Sequence, residues 1–592
     1  MQLFGRKSLA AWRAAVAAVV LATTLALAGC AGAPATLSSP APAWPASEAG
    51  ATAALDAELL YDLLLADLAA QRGQNTVAID AATRAAYRSR NRRVTGAAIR
   101  LANRAGEHAR VIELSRFMAT LAPGDSRNQL TLAGAQLKTG QVEAALAVLA
   151  EVALRQPADE SGEAVLQSVA EMLAEAAASA TLASGAPSIF RQFEAAADAH
   201  PASASLQLAA ALLALELHRG AAFQRRVDRA LQLQPGWQSA AMFKLAFLAE
   251  HFAVQSARFA DAFLREFPGA NRFRVHHARL LLDAGQAPAA AAQAAAAVRQ
   301  NPQNSEALFV AASAYFYAAK YTEAQDLMRR YLALNPRNDR ARLYLADILS
   351  ARADYDGALE VLREVASPAY RLDAEVEMAA VLAKRSGVDA GIRHLRQIAT
   401  ANREHAVRLV LEEAALWRDY DLPLRAKAAL DDGLARFPAQ PDLLYNRGLL
   451  AAQLNQLDLH ERDMRQLIAL QPDNAHAYNA LGYTLADQTP RLDEAFKLID
   501  KALKLRPNDP FILDSMGWVH FRLGDTARAI DYLQRALAVR EDAEIAAHLG
   551  EALWVAGRRD EARAIWAKGR QWGPDNATLL DTLRRFVGDA SS

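Results

Sequence analysis

Prolines recur along this chain at a fixed interval. Pro123 and Pro157 are 34 residues apart, and Pro201, Pro235, Pro268, Pro302 and Pro336 follow one another at 34, 33, 34 and 34. Pro336 to Pro438 is 102, three periods, and Pro438 to Pro472 is 34 again. Proline lacks the N–H that would continue a helix, so a proline at a fixed period closes a structural unit at that period. Between the prolines, apolar residues recur at three- and four-residue steps, the spacing of a helix face. The repeating unit is therefore a helix-turn-helix of about 34 residues, and units of this kind stack.

Ala475 to Pro574 carries the unit at highest contrast. One copy gives Leu481-Gly482, Ala495, Ile499, Ala502 and Pro507; the next gives Met516-Gly517, Gly524, Ala529, Leu533 and Ala536. The third gives Leu549-Gly550, Gly557, Ala562, Trp566, Gly569 and Pro574. Small residues at the eighth and twentieth places suit the crossing of the two helices of a unit, where only a hydrogen or a methyl fits. Gly524 and Gly557 fall where the first helix must end, and glycine accepts the left-handed backbone of a C-cap. The pattern resembles the tetratricopeptide repeat family. That resemblance implies an all-α fold, a right-handed superhelical solenoid of about fifteen tetratricopeptide helix pairs, over residues 57–574.

At the N-terminus, Arg6, Lys7 and Arg13 precede an apolar run, Ala14 to Leu27, that is short for a membrane span. With Leu27-Ala28-Gly29-Cys30 after it, the stretch has the layout of a secretory signal and resembles the bacterial lipoprotein box. The resemblance implies a signal peptide over 1–29, cleavage before Cys30, and diacylglycerol and N-acyl lipid on that thiol as the only added groups. Cys30 is the one cysteine of 592 residues, which fits a fold without disulfides. Ala31 follows it rather than the aspartate that in this class commonly signals inner-membrane retention, so the expected location is the outer membrane, facing the periplasm. Residues 30–56, rich in Ala, Pro, Ser and Gly, read as a flexible tether, with Trp44 incidental to it.

Lys+Arg and Asp+Glu both number 66, so no global basic field exists to attract nucleic acid. About 540 mature residues exceed one globular core, a limit that a solenoid avoids. The first unit, Ala57 to Asn91, sets Leu64-Leu65 at its crossing; the next begin near Arg92 and Ser126, with turns at Gly106 and Gly140. Pro157 to Pro201 is 44, ten residues over the period, and Ser184-Gly185-Ala186-Pro187 marks an inserted loop there. Later units start near Ser203, Trp237, Asn271, Ser305, Asp339, Asp373, Val407 and Pro441. Small residues hold the eighth place (Ala210, Ala278, Ala312, Ala346, Ala380, Ala414, Gly448) and the twentieth (Ala290, Ala324, Ala358, Ala426). Lys244 and His460 depart from this rule, and each must snorkel to the edge or splay its unit. Pro490 adds one residue to its unit's turn. Residues 575–592 form a cap and tail, with Asp575 or Asn576 opening a helix that turns Leu579, Leu580, Leu583 and Phe586 to one side.

Catalytic patterns are absent from the sequence, and the chain is expected not to be an enzyme. His460-Glu461 begins a zinc-protease helix, but Met464 stands where the second histidine belongs. His276 and His277 are adjacent and point about 100° apart, wrong for one metal. No Gly-x-Ser-x-Gly elbow or phosphate-cradling loop occurs. His548 and Glu551, one helical turn apart, read as a surface pair. No cofactor or metal is implied.

In tetratricopeptide arrays the first helix of each unit lines a groove through its second, fifth, ninth and twelfth places. Carried onto this sequence, the partner-binding residues are His476, Asn479 and Tyr483, then Asp514, Trp518 and Phe521, then Glu551 and Trp554. Phe309, Phe316 and Arg279 hold equivalent places in the middle units. Trp518 and Trp554 can equally be packing between units. The carboxylate-clamp subtype is not supported: Asn479 matches in isolation, without the partnering lysines. The segments Asn479 to Asp487, Leu513 to Trp518 and Ala547 to Glu551 resemble more narrowly the large outer-membrane tetratricopeptide lipoproteins of proteobacteria. One type of these binds a periplasmic carboxyl-terminal processing protease and presents peptidoglycan hydrolases to it. The alternative is a structural scaffold for envelope assembly or polysaccharide export with no protease.

Overall fold

The computed structural model describes residues 57–178, 186–401 and 403–588. Among these residues are 31 α-helices, a single 3-10 turn at Arg403–His405 and no strand, so the fold is all-α. The signal segment, Cys30, the tether to residue 56, Ser184-Gly185 of the insertion and residues 589–592 lie outside the described residues. The chain forms two compact bodies that divide between Thr139 and Gly140. The first holds the helices Ala57–Gln71 to Ser126–Lys138, and the second those from Val142–Arg155 to Ala577–Val587. Within each body successive helices pack on one another.

The ladder prolines all do the same work. The second helix of a unit has ended two residues earlier: Leu121 before Pro123, Leu233 before Pro235, Leu334 before Pro336, Leu470 before Pro472. Eight first helices open on a short polar residue whose oxygen takes an otherwise unbonded backbone N–H. Asn91, Asp125, Ser203, Asn304, Asn338, Asn474, Asp509 and Asp542 all cap in this way. The expected crossing residues Ala210, Ala278, Ala312, Ala346, Ala414, Ala290, Ala324, Ala358 and Ala426 are buried. The closest approach is at Gly550, where a Cβ would stand 2.0 Å from Nε1 of Trp566.

In most units the turn between the two helices places one residue in the left-handed region. Gly524 and Gly557 supply it at φ +85° and +83°. In other units Ala319, Ala353 and Asn455 take the same place at φ 57°, 61° and 56°. There the 5→2 and 6→1 bonds of the C-cap outweigh the Cβ penalty, as in Ala319 N–H to Phe316 O and Lys320 N–H to Tyr315 O at 3.0 and 2.8 Å.

The three periods after Pro336 are filled unevenly, which corrects the expected start at Asp373. Units begin at Asp339, Pro368 and Ala406, and the following one at Pro441. The second helix Tyr355–Arg363 has nine residues and the next first helix, Pro368–Ser386, has nineteen. Pro368 is pre-set for a first helical position. The short link before it is held by Asp339, whose Oδ2 accepts from the N–H groups of Ala366 and Ser367 at 3.0 and 2.7 Å. Ala380 is consequently only partly buried, and Met378, Ala379 and Val381 face the core instead.

Three other expectations change. Leu64 is 55% exposed; the inward position of the first unit is taken by Asp62, bound to Arg84 at 2.9 Å. His460 neither snorkels nor splays its unit: it is buried, with Nδ1 2.9 Å from the carbonyl of Gly448. Lys244 does reach the edge, pairing with Asp228 at 2.7 Å over the ring of Phe259. In the cap, Asn576 accepts from Leu579 N–H at 2.9 Å, and Thr582 rather than Leu580 turns inward.

Two substitutions test this account by chemical denaturation. Ala353→Gly removes a left-handed Cβ and should stabilise its body by about 0.5–1 kcal/mol. Gly550→Ala forces Trp566 to move and should cost about 1–3 kcal/mol.

Candidate protein-binding face

Three consecutive first helices, Ala475–Gln488, Pro510–Arg522 and Ala543–Val555, carry the eight sequence-derived residues. Each is started by its own cap: Asn474 to Ala477 N–H, Asp509 to Phe511 and Ile512 N–H, Asp542 to Glu544 N–H. Equivalent places on adjacent first helices therefore lie side by side, one period apart.

Four of the side chains meet around His548. Its Nδ1 lies 2.9 and 3.1 Å from the two carboxylate oxygens of Asp514, and its Nε2 lies 3.5 Å from the hydroxyl of Tyr483. The Trp518 ring stacks on the imidazole at 4.4 Å and on Phe521 at 5.3 Å. Trp518 Nε1 donates to Asp487 at 3.3 Å, and Arg522 donates to the Asp487 carbonyl at 2.6 Å. Asp514, Trp518 and His548 are buried. Glu551 is buried as well, but it does not pair with His548 as expected: both its oxygens are held by Arg585 of the last helix, at 3.2 and 2.6 Å. Trp554 packs on Trp566 and Phe586, with Arg559 and Arg563 over its face.

Burial opposes charge on the imidazole, but Asp514 beside it, with Glu544 and Glu551, overrides burial and raises the His548 pKa to about 9. Burial first, and then Asp514, Asp542 and Asp487, push the Glu544 carboxyl up. Burial likewise raises the Tyr483 phenol, with Glu544 and Asp514 adding to it. His548 is thus an imidazolium at neutral pH, clamped by a carboxylate and covered by an indole.

The structure therefore divides the eight residues into two kinds. Asp514, Trp518 and Glu551 form an internal framework. His476, Asn479, Tyr483, Phe521 and Trp554 keep partial exposure around it. In the middle units Phe309 packs edge-on to Tyr344 and Arg279 pairs with Glu306. Sequence reasoning missed Asp487, Arg522, Glu544 and Arg585, and paired His548 wrongly. The available signal was complementary residues one period apart: Asp514 and His548 are separated by 34, Glu551 and Arg585 by 34, Asp487 and Arg522 by 35. Among the described residues no group of three or more His, Cys, Asp or Glu is placed to hold a metal ion.

Helix pairs of this length, stacked through small residues, define a class of proteins that bind other proteins through repeats. Profiles described as tetratricopeptide repeat match residues 102–169, 276–316, 315–384, 473–542 and 520–585. A TPR repeat-containing protein of Pseudomonas aeruginosa is 42% identical over 213 residues. Those residues are 36% of this chain and 36% of that protein, so the match spans about a third of the relative. Together these findings support the tetratricopeptide repeat family for this chain. Two solved structures are similar in part. A thermophilic TPR protein of Thermus thermophilus is 24% identical, over 31% of this chain and 97% of that one, with a TM-score of 0.28. MamA is 21% identical, over 28% and 95%, with a TM-score of 0.24. At such scores neither likeness says how the units of this chain are arranged.

The His548 clamp makes stability pH-dependent with a definite sign. The folded-state pKa, about 9, lies above the ordinary histidine value of 6.5, so the contribution is complete below pH 6.5 and is lost as pH rises through 9. Hydrogen exchange in helix Ala543–Val555 should report a loss on the order of 3 kcal/mol across that window. Asp514→Asn should flatten the profile.

Proposed function

We propose that this chain is a lipid-anchored adaptor of the outer membrane, facing the periplasm. Acylation at Cys30 tethers it, the repeats hold a carboxyl-terminal processing protease, and the same chain presents peptidoglycan hydrolases for degradation. Its repeats support a protein-interaction scaffold in general. The narrower reading draws on the resemblance of its C-terminal segments to adaptor lipoproteins of proteobacteria. The observation that carries it is the framework around His548. A buried ion pair with a stacked indole fixes three successive first helices, and so pre-orients the partly exposed His476, Asn479, Tyr483, Phe521 and Trp554. Aromatic anchors beside hydrogen-bonding groups, held in place before binding, are what protein-protein hot spots use. The mechanism is linkage: one chain holding protease and substrate together raises the local concentration of each for the other.

The test combines the chain from Ala31 onward with a carboxyl-terminal processing protease and a peptidoglycan endopeptidase of the same organism, and follows endopeptidase loss. Faster loss only with all three present is expected. Phe521→Ala should weaken capture by about tenfold or more if it anchors a partner. Trp518 is unsuitable for this purpose because it is part of the framework. Unchanged loss together with no complex on a sizing column would overturn the protease reading and favour an envelope scaffold.

A further inference from the structure

By chain order the helix Glu163–Ala178 is the first helix of the unit that carries the ten extra residues, and it does not stack as the others do. From Ala204 onward each first helix packs more on the second helix of its own unit than on the next first helix. Glu163–Ala178 does the reverse, lying mainly on Ala204–Glu216 and only lightly on its own second helix, Ala186–Ala199. We propose that this helix is a built-in occupant of a helix-docking site on the first helices Ala204–Glu216, Gln238–His251 and Asn271–Asp283, and that an amphipathic helix of a partner, with a carboxylate in its first turn, takes its place.

The helix has the form of a ligand. Leu166, Val169, Ala170, Leu173, Ala176 and Ala177 are buried along one stripe, while Glu171 and Glu175 stand exposed on the opposite side. The first four are spaced i, i+3, i+4 and i+7, the pattern by which an amphipathic helix enters an apolar groove. It carries Glu163, Glu171 and Glu175 and no lysine or arginine. The helix on which it lies is buried at every residue from Ala204 to Ala214, and over that stretch only Ser205 and Gln207 are not alanine or leucine.

Its first turn reaches further along the row of first helices than stacking requires. Glu163 Oε2 accepts from Ser239 Oγ at 2.6 Å and from Arg272 Nη2 at 3.0 Å, and Arg272 Nη1 stands 3.4 Å from the Ser239 hydroxyl. These partners lie 76 and 109 residues away, on the second and third first helices that follow. A carboxylate at the start of a helix is also favoured by that helix's own dipole, so Ser239 and Arg272 together select the N-terminal end of a docked helix and fix its direction. Arg272 is half-exposed, so the ion pair contributes little to holding the resident helix. Burial first, and then Glu216 at the end of the floor helix, push the Glu171 carboxyl up, a like-charge contact that a partner's helix need not repeat.

The resident helix is joined to the chain at both ends, and that connection gives it a high effective concentration at the site. A free helix binds only as the resident one leaves. Loosening the resident helix therefore opens the site, and pinning it closes the site.

The chain from Ala31 onward contains no cysteine, because Cys30 is the only one. Glu163→Cys combined with Ser239→Cys therefore places two unique thiols at this contact, loose when reduced and pinned when bridged by a short reducible cross-linker. The probe is a fluorescein-labelled synthetic peptide of residues 162–178, followed by anisotropy. The reduced chain should bind it, bridging should weaken binding by about tenfold or more, and reductant should restore it. Glu163→Ala, a milder way to loosen the resident helix, should bind the peptide about threefold more tightly than wild type, and adding Arg272→Ala should cancel that gain. Equal binding in the bridged and reduced forms, or no binding to Glu163→Ala, would overturn the proposal. The assay contains no protease or hydrolase, so its outcome is independent of the adaptor reading.

Discussion

The interaction on which the structure depends is the contact of one helix with the next through a residue too small to keep them apart. Gly550 against Trp566 shows it at its limit, with 2.0 Å where a methyl would have to go. Because a unit packs chiefly on its neighbours, apolar burial accumulates along the chain rather than around a centre, and a 592-residue protein needs no core larger than a few helices. The proline ladder and the Asx and Ser caps are secondary to this: they cut helices to the length at which the small residues meet.

Electrostatics act on the same period. Arg279 with Glu306, Asp373 with Arg408, Glu461 with Arg491 and Asp514 with His548 all join a unit to the next. Most are exposed and contribute little each. Two differ in kind: Asp514–His548 is buried on both sides and Glu551 is buried beneath a half-exposed Arg585, so removing either partner of the first, or Arg585 of the second, would leave a buried charge uncompensated. Their value is orientation of the partly exposed residues beside them.

The repeat, its boundaries and most crossing residues were legible because each follows from a short-range rule repeated many times: proline ends, glycine turns, alanine crosses. The sequence was a poor guide where one position obeyed two rules. Pro368 belongs to a helix start rather than an end, and so moved a unit five residues from the strict period. Ala353 does a glycine's work in a turn because its hydrogen bonds compensate. His460 is buried with its ring nitrogen satisfied by the Gly448 carbonyl. The candidate face was legible as a set of places but not as a set of roles. Whether Trp518 points to a partner or to its own neighbours depends on His548, Asp487 and Phe521, which lie 30, 31 and 3 residues from it along the chain.

The contact between Tyr483 and His548 passes over a whole unit, joining residues 65 apart. Nearest-neighbour stacking alone makes a solenoid a spring of even compliance. A contact from the first to the third of these units, with the Trp518 indole stacked on the same imidazole, ties the three directly to one another. A load on any one of the three is then shared with the other two through side chains as well as through stacked helices.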